Sequence, residues 1–133
     1  MLRLTRENWS SVREASLYEG GEIQYAAWVD PKLLCKSEVR FEMHVFGFAN
    51  AGSQKIRKSD FTKIFRERAR DQIQKFGHHD MKRGPAVPYA GSYRFASAED
   101  LVAFLVEDFA RFVTLAPLID ERLGELLRNS TKA

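Results

Sequence analysis

Over residues 38–48 apolar and polar side chains alternate, whereas over residues 59–77 the apolar ones recur at every third or fourth position, so one short chain carries both a strand's period and a helix's. In the first stretch Val39, Phe41, Met43 and Val45 point one way and Arg40, Glu42 and His44 the other. In the second, Phe61, Ile64, Phe65, Ala69, Ile73 and Phe76 share a face, with Ser59 placed to cap the start and Gly77 to end it. A bundle of helices alone and a sandwich of strands alone are both excluded, and the two patterns call for helices packed on a sheet.

The rest of the chain fits that frame. Residues 22–29 read as another strand, with Ile23, Tyr25, Ala27 and Val29 on one face and Gln24, Ala26 and Trp28 on the other. The eight residues 30–37 between the two strands allow an antiparallel return but not a parallel crossover. Residues 92–96 make a short third strand, and residues 78–91, with Pro85 and Pro88, read as a loop. Asn8 can cap a short helix from Trp9 to about residue 17. Ser97 with Asp100 starts a helix whose Leu101, Val102, Phe104, Leu105, Phe109, Phe112 and Val113 spread around much of its circumference, which predicts cover on more than one side. Pro117 begins a separate last helix reaching about Arg128. The expectation is one domain over residues 1–133, of α+β class, with a small, mostly antiparallel sheet packed by helices and a helical C-terminal part.

Composition supports a folded chain. Hydrophobic residues at 44% and charged residues at 29% are those of ordinary globular domains, and ten Phe supply bulk for a core. The lone Cys35 excludes an internal disulfide framework and is expected as a small buried side chain in a reducing compartment. Charges at Arg3, Arg6 and Glu7 interrupt any secretory signal. The most apolar run, residues 101–118, contains Glu107, Asp108, Arg111 and Pro117 and is too polar to cross a bilayer. A soluble, cytoplasmic protein without membrane association is expected.

Charge is distributed unevenly. Residues 55–83 hold ten Lys or Arg against four Asp or Glu, a local charge of +6 in a chain of net charge +3. On the helix within that segment the polar face carries Lys58, Lys63, Arg66, Arg70 and Lys75, and Lys82 and Arg83 follow it. Such a stripe can meet nucleic acid, by releasing counterions from phosphates, or an acidic protein partner. Glu67 and Asp71 interrupt it and can pair along the helix with Lys63, Arg70 or Lys75. Phe46, Phe48, Tyr89 and Tyr93 are the candidate rings for stacking with bases, although Phe46 and Phe48 break the polar alternation as core-packing residues do.

Catalytic signatures are sparse. There is no nucleophile elbow, no phosphate-binding glycine loop and no ligand spacing typical of zinc. His78, His79 and Asp80 are read as a surface loop rather than a metal site, and no cofactor is expected. Asp30 at the end of one strand, with Glu42 and His44 on the next, could hold Mg²⁺ at the mouth of a hairpin and activate water. In the order of its elements the span 8–96 resembles the PD-(D/E)XK nuclease fold, with Glu14 as a further acidic residue, His44 where that family usually has lysine, and Asp30 before rather than after the proline. The resemblance implies Mg²⁺-dependent phosphodiester cleavage. Residues 97–126 instead hold seven acidic and two basic side chains, and Leu118, Ile119, Leu123, Leu126 and Leu127 give the last helix an apolar face that could build a homodimer through the C-terminal helices. The expected function is a non-catalytic binding or regulatory domain whose basic helix contacts an acidic partner or nucleic acid. The alternatives are the Mg²⁺-dependent nuclease and a structural self-association subunit.

Overall fold

A computed structural model describes residues 2–5, 9, 23–45, 48–49, 55–77, 79–81 and 84–130. The elements run β1 (Leu2–Leu4), β2 (Ile23–Trp28), α1 (Pro31–Cys35), β3 (Glu38–Val45), β4 (Phe48–Ala49), β5 (Lys55–Ile56), α2 (Lys58–Gln74), β6 (His79–Asp80), β7 (Tyr89–Arg94), α3 (Ala98–Val113) and α4 (Ala116–Ser130). Among the described residues β1, β2, β3, β7 and β6 lie side by side in that order, every neighbouring pair antiparallel, while β4 and β5 form a small separate ladder. This is the expected α+β arrangement.

The alternation of β3 decides which face is covered. Val39, Phe41, Met43 and Val45 are buried with Ile23, Tyr25 and Ala27 of β2, and they form one core with Phe61, Phe65, Ala69 and Ile73 of α2. Phe104 and Phe112 of α3 and Ile119 and Leu123 of α4 complete it. Burial of a large apolar side chain is worth roughly 1.5–3 kcal/mol, so this shared core fixes the strand register, because a one-residue slip would turn every β3 side chain to the wrong face.

The short return between β2 and β3 is itself helical. Asp30 accepts a hydrogen bond from the Leu33 amide at 2.8 Å, and Pro31 takes the first helical position, where its missing N–H costs nothing. Ser37, at φ 53°, turns the chain into β3. Cys35, expected inside, is exposed, because a single amphipathic turn buries only Leu33.

Several expectations change in detail. The helix read from residue 9 to 17 lies outside the described residues except for Trp9, which is buried and donates from Nε1 to Asp120 at 2.7 Å. α2 begins at Lys58 with Arg57 in the cap position, not Ser59, and Arg57 pairs with Asp60 instead of capping through its side chain. Gly77, at φ 92°, follows its end in a conformation that favours glycine. Residues 78–91 are not one loop: His79 and Asp80 pair with Ala90 and Gly91, so β7 starts at Tyr89 and not at Ser92. Both Gly91 and the brevity of β6 hid this ladder, since neither carries a periodic pattern.

The two C-terminal helices separate where Pro117 predicts. Ser97 Oγ accepts from the Asp100 amide at 3.1 Å while Asp100 accepts from the Ala96 amide at 2.8 Å, a reciprocal cap at the start of α3. α3 is not covered on more than one side, for Val102, Val106 and Val113 are exposed. α4 turns Ile119 and Leu123 into the core with Leu118 and Leu126 partly buried, and Arg68 of α2 pairs with Glu121 and Glu125 along its edge. Of the apolar face read on this helix, Ile119 and Leu123 thus serve the core of one copy, and the Leu127 side chain lies outside the described residues.

Candidate functional site

The basic helix presents its cations in separate places, and one of them is a concave site. On α2, Ser59, Thr62, Lys63, Arg66, Glu67 and Arg70 form one wall of a groove of about 440 Å³, and Gly84 and Pro85 form the other. Their spacing of three and four residues puts these side chains on adjacent rows of one helix surface, beside the row that buries Phe61 and Phe65.

What holds the two walls together is Arg66. Its Nη2 donates to the carbonyls of Gly84 at 2.8 Å and Val87 at 2.7 Å, and its Nε donates to Pro88 at 3.0 Å. Thr62 adds a hydrogen bond from Oγ1 to the Pro85 carbonyl at 2.7 Å. A proline-containing segment has carbonyls without matching amides, so a guanidinium with several donors in a fixed fork suits it. Burial lowers the Arg66 pKa from its ordinary value, but nothing near physiological pH would discharge it. Arg66 is therefore a strut of the groove.

Lys63 and Arg70 are the exposed cations on this wall. They are seven residues apart, which is ~10 Å along a helix. Glu67 sits between them on the same wall and breaks the positive field into two points. Lys58 lies near His44 at the rim of the sheet, where its charge adds to burial in lowering the His44 pKa. Lys75 is exposed at the other end of α2. Lys82 and Arg83 fall outside the described residues, though they directly precede Gly84 in the chain. The stripe read from the sequence thus separates into the groove pair, two distant lysines and a strut.

Two of the candidate stacking rings, Tyr89 and Tyr93, are otherwise engaged. Tyr89 is buried, and Tyr93 lies flat on Phe104 with centroids 3.9 Å apart while its hydroxyl donates to Asp100 at 2.9 Å. The side chains of Phe46 and Phe48 are outside the described residues.

Asp30 and Glu42 do face a common space. Both line a pocket of about 280 Å³ on the sheet face opposite the core, with Trp28, Leu33 and Arg40. One Asp30 oxygen is occupied by the cap of α1, and His44 Nδ1 stands 3.8 Å from Glu42. No group of three or more His, Cys, Asp or Glu able to hold a metal converges among the described residues.

Sequence reasoning missed a buried polar cluster among the described residues. The Asp108 carboxylate accepts from the Tyr25 hydroxyl and pairs with His79 Nε2 at 2.9 Å, while Arg111 Nη1 stands at 3.7 Å. Phe41 and His79 meet with centroids 4.8 Å apart because the residue opposite both, Gly91, has no side chain to separate them. His79, expected on a surface loop, has a side chain with 0% exposure. Its Nδ1 and the Arg111 Nη1 have no hydrogen-bond partner among the described residues. Burial and the nearby Asp108 raise the Tyr25 and Tyr89 pKa values above the ordinary phenol range. With the His79 side chain at 0% and the Asp108 side chain at 1% exposure, the cluster has the geometry of a buried brace.

No helix among the described residues is long and apolar enough to cross a membrane. No family model, no curated protein and no solved structure matches the chain.

Proposed function

We propose that the chain is a non-catalytic binding module that holds a nucleic-acid backbone in the groove between α2 and residues 84–85. The observation that carries this reading is the pair Lys63 and Arg70, exposed on one wall of a groove whose opposite wall is fixed in place by Arg66. Their backbones are ~10 Å apart along the helix, a spacing that suits separate phosphates of a polymer better than one small anion. Glu67 between them favours a ligand whose charges are spaced rather than continuous. Binding of this kind neutralises few phosphates and depends on salt with a slope of about −2 in log–log form.

Fluorescence anisotropy with single-stranded and duplex oligonucleotides, and with polyglutamate as the acidic-protein comparator, tests the reading. The double variant Lys63→Gln/Arg70→Gln should retain the fold and lose most oligonucleotide affinity. Unchanged affinity in that variant, or preference for polyglutamate, would overturn it. A second reading, Mg²⁺-dependent phosphodiester cleavage, draws on Asp30 and Glu42 lining one pocket. It requires metal-dependent cleavage that disappears on Glu42→Gln.

A further inference from the structure

α3 turns an apolar surface away from the core. Ala98, Val102, Ala103, Val106, Ala110 and Val113 are all exposed, the three valines at 60%, 67% and 55% of their surface, and half-buried Phe109 borders them. Except for Glu99, the polar residues of the helix are drawn off this face: Asp100 binds Tyr93 and the Ala96 amide, Asp108 is buried, and Glu107 pairs with Arg111 at 2.8 Å. A largely apolar helix face several turns long, with Glu99 as the exposed acid at its N-terminal end, marks an interaction surface on a domain otherwise rich in charge.

We infer that this face binds the same face of a second copy of the chain, the two α3 helices running antiparallel about an axis between Glu107 and Asp108. The spacing of Val102, Val106, Phe109 and Val113 is four, three and four, which reads the same in both directions. An axis at that midpoint sets Val102 against the second copy's Val113 and Val106 against its Phe109, the alternation by which helices interlock along a seam. Alanines at 103 and 110 flank the seam and allow the backbones to approach closely.

Charge selects the direction. Glu99 is the exposed acid next to the stripe, and a parallel pair would place two of them side by side. In the antiparallel pair they are ~25 Å apart along the axis, beyond a Debye length of about 8 Å at physiological salt. Area sets the strength. The face offers on the order of 500 Å² per copy, and a pair burying about 1,000 Å² stands at the lower bound for a specific interface, so dissociation is expected in the micromolar range or above.

Sedimentation equilibrium on the whole chain, from about 1 µM to about 1 mM, reads this directly. The expected result is a monomer–dimer equilibrium that Val106→Glu and Val106→Lys each weaken tenfold or more, with the circular dichroism spectrum unchanged because the position is exposed. In a Cys35→Ser background, Val102→Cys mixed with Val113→Cys should cross-link on oxidation, and neither should cross-link alone. A monomer throughout the range, a dimer indifferent to charge at position 106, or Val102→Cys linking to itself would each overturn the inference. None of these variants touches the groove, so its outcome is independent of oligonucleotide binding.

Discussion

His79 Nε2 and Asp108 Oδ1 lie 2.9 Å apart in the interior, joining the edge strand β6 to the middle of α3 across 29 residues of chain. The carboxylate also accepts from Tyr25 on β2, so one side chain ties two strands to one helix. Removing a single member of a buried polar set leaves the others desolvated and unpaired, and that costs more than the set contributes when intact. Asp108→Leu, close in size but without acceptors, should therefore destabilise the fold by roughly 3–5 kcal/mol in urea titrations. Asp108→Asn keeps shape and hydrogen bonding and should recover part of the loss. A loss under about 1 kcal/mol for Asp108→Leu would show that the brace is idle.

Alkaline stability follows from the same cluster. Tyr25 and Tyr89 have pKa values raised by burial first, and by the negative charge of Asp108. The native state keeps both phenols protonated, while the unfolded chain releases their protons as pH passes its ordinary value of 10.0. Protons are then bound more tightly by the native state, so stability falls as pH rises above that value and is unaffected by these groups below it. Each phenol contributes a slope of up to about 1.4 kcal/mol per pH unit. Absorbance at the phenolate band should show two tyrosines ionising only with unfolding. Their early, reversible titration in the folded protein would contradict the burial.

Three cations of α2 that look alike in sequence should behave differently on substitution. Lys63 and Arg70 are exposed, so glutamine at either should change stability by no more than about 0.5 kcal/mol. Arg66→Gln removes the donors that hold the carbonyls of Gly84, Val87 and Pro88 and should cost about 1.5–3 kcal/mol, hydrogen bonds to a charged group being the stronger kind. Arg66→Lys keeps the charge but not the fork, and should not restore it. Equal melting temperatures for all three single glutamine variants would mean that the groove wall does not depend on Arg66.

Periodicity in the sequence was enough to place β2, β3, α2, α3 and α4, because each has a long face that must be buried. It was silent on β6, where two residues cannot show a period, and on α1, whose single turn is set by Asp30 and Pro31. The functional groups were less legible for a physical reason: a row of Lys and Arg looks the same whether its members face solvent, as Lys63 does, or bind backbone carbonyls, as Arg66 does. Asp108 was the available signal. It falls in the inward series Phe104, Asp108, Phe112, Leu115, and a charge at an inward position demands partners from elsewhere in the chain. Taken as an interruption of an apolar run, it excluded a membrane span but did not lead to His79.

Acid sensitivity should arise on the opposite face of the sheet. His44, opposite Gln24 in the β2–β3 ladder, has its pKa lowered from 6.5 by burial and then by Lys58. The native state thus prefers the neutral imidazole, and the unfolded chain takes up the proton first as pH falls. By linkage this contribution to stability is complete above pH 6.5 and declines below it until the native imidazole itself protonates. Carboxylates titrate lower, so the comparison is with His44→Gln, which retains polarity without titrating. Urea midpoints of the two proteins should diverge between about pH 7 and pH 5, with the native protein losing more. Lys58→Gln should narrow that divergence, because it removes the nearby positive charge. Parallel pH profiles for the native protein and His44→Gln would show that the imidazole has the same proton affinity folded and unfolded.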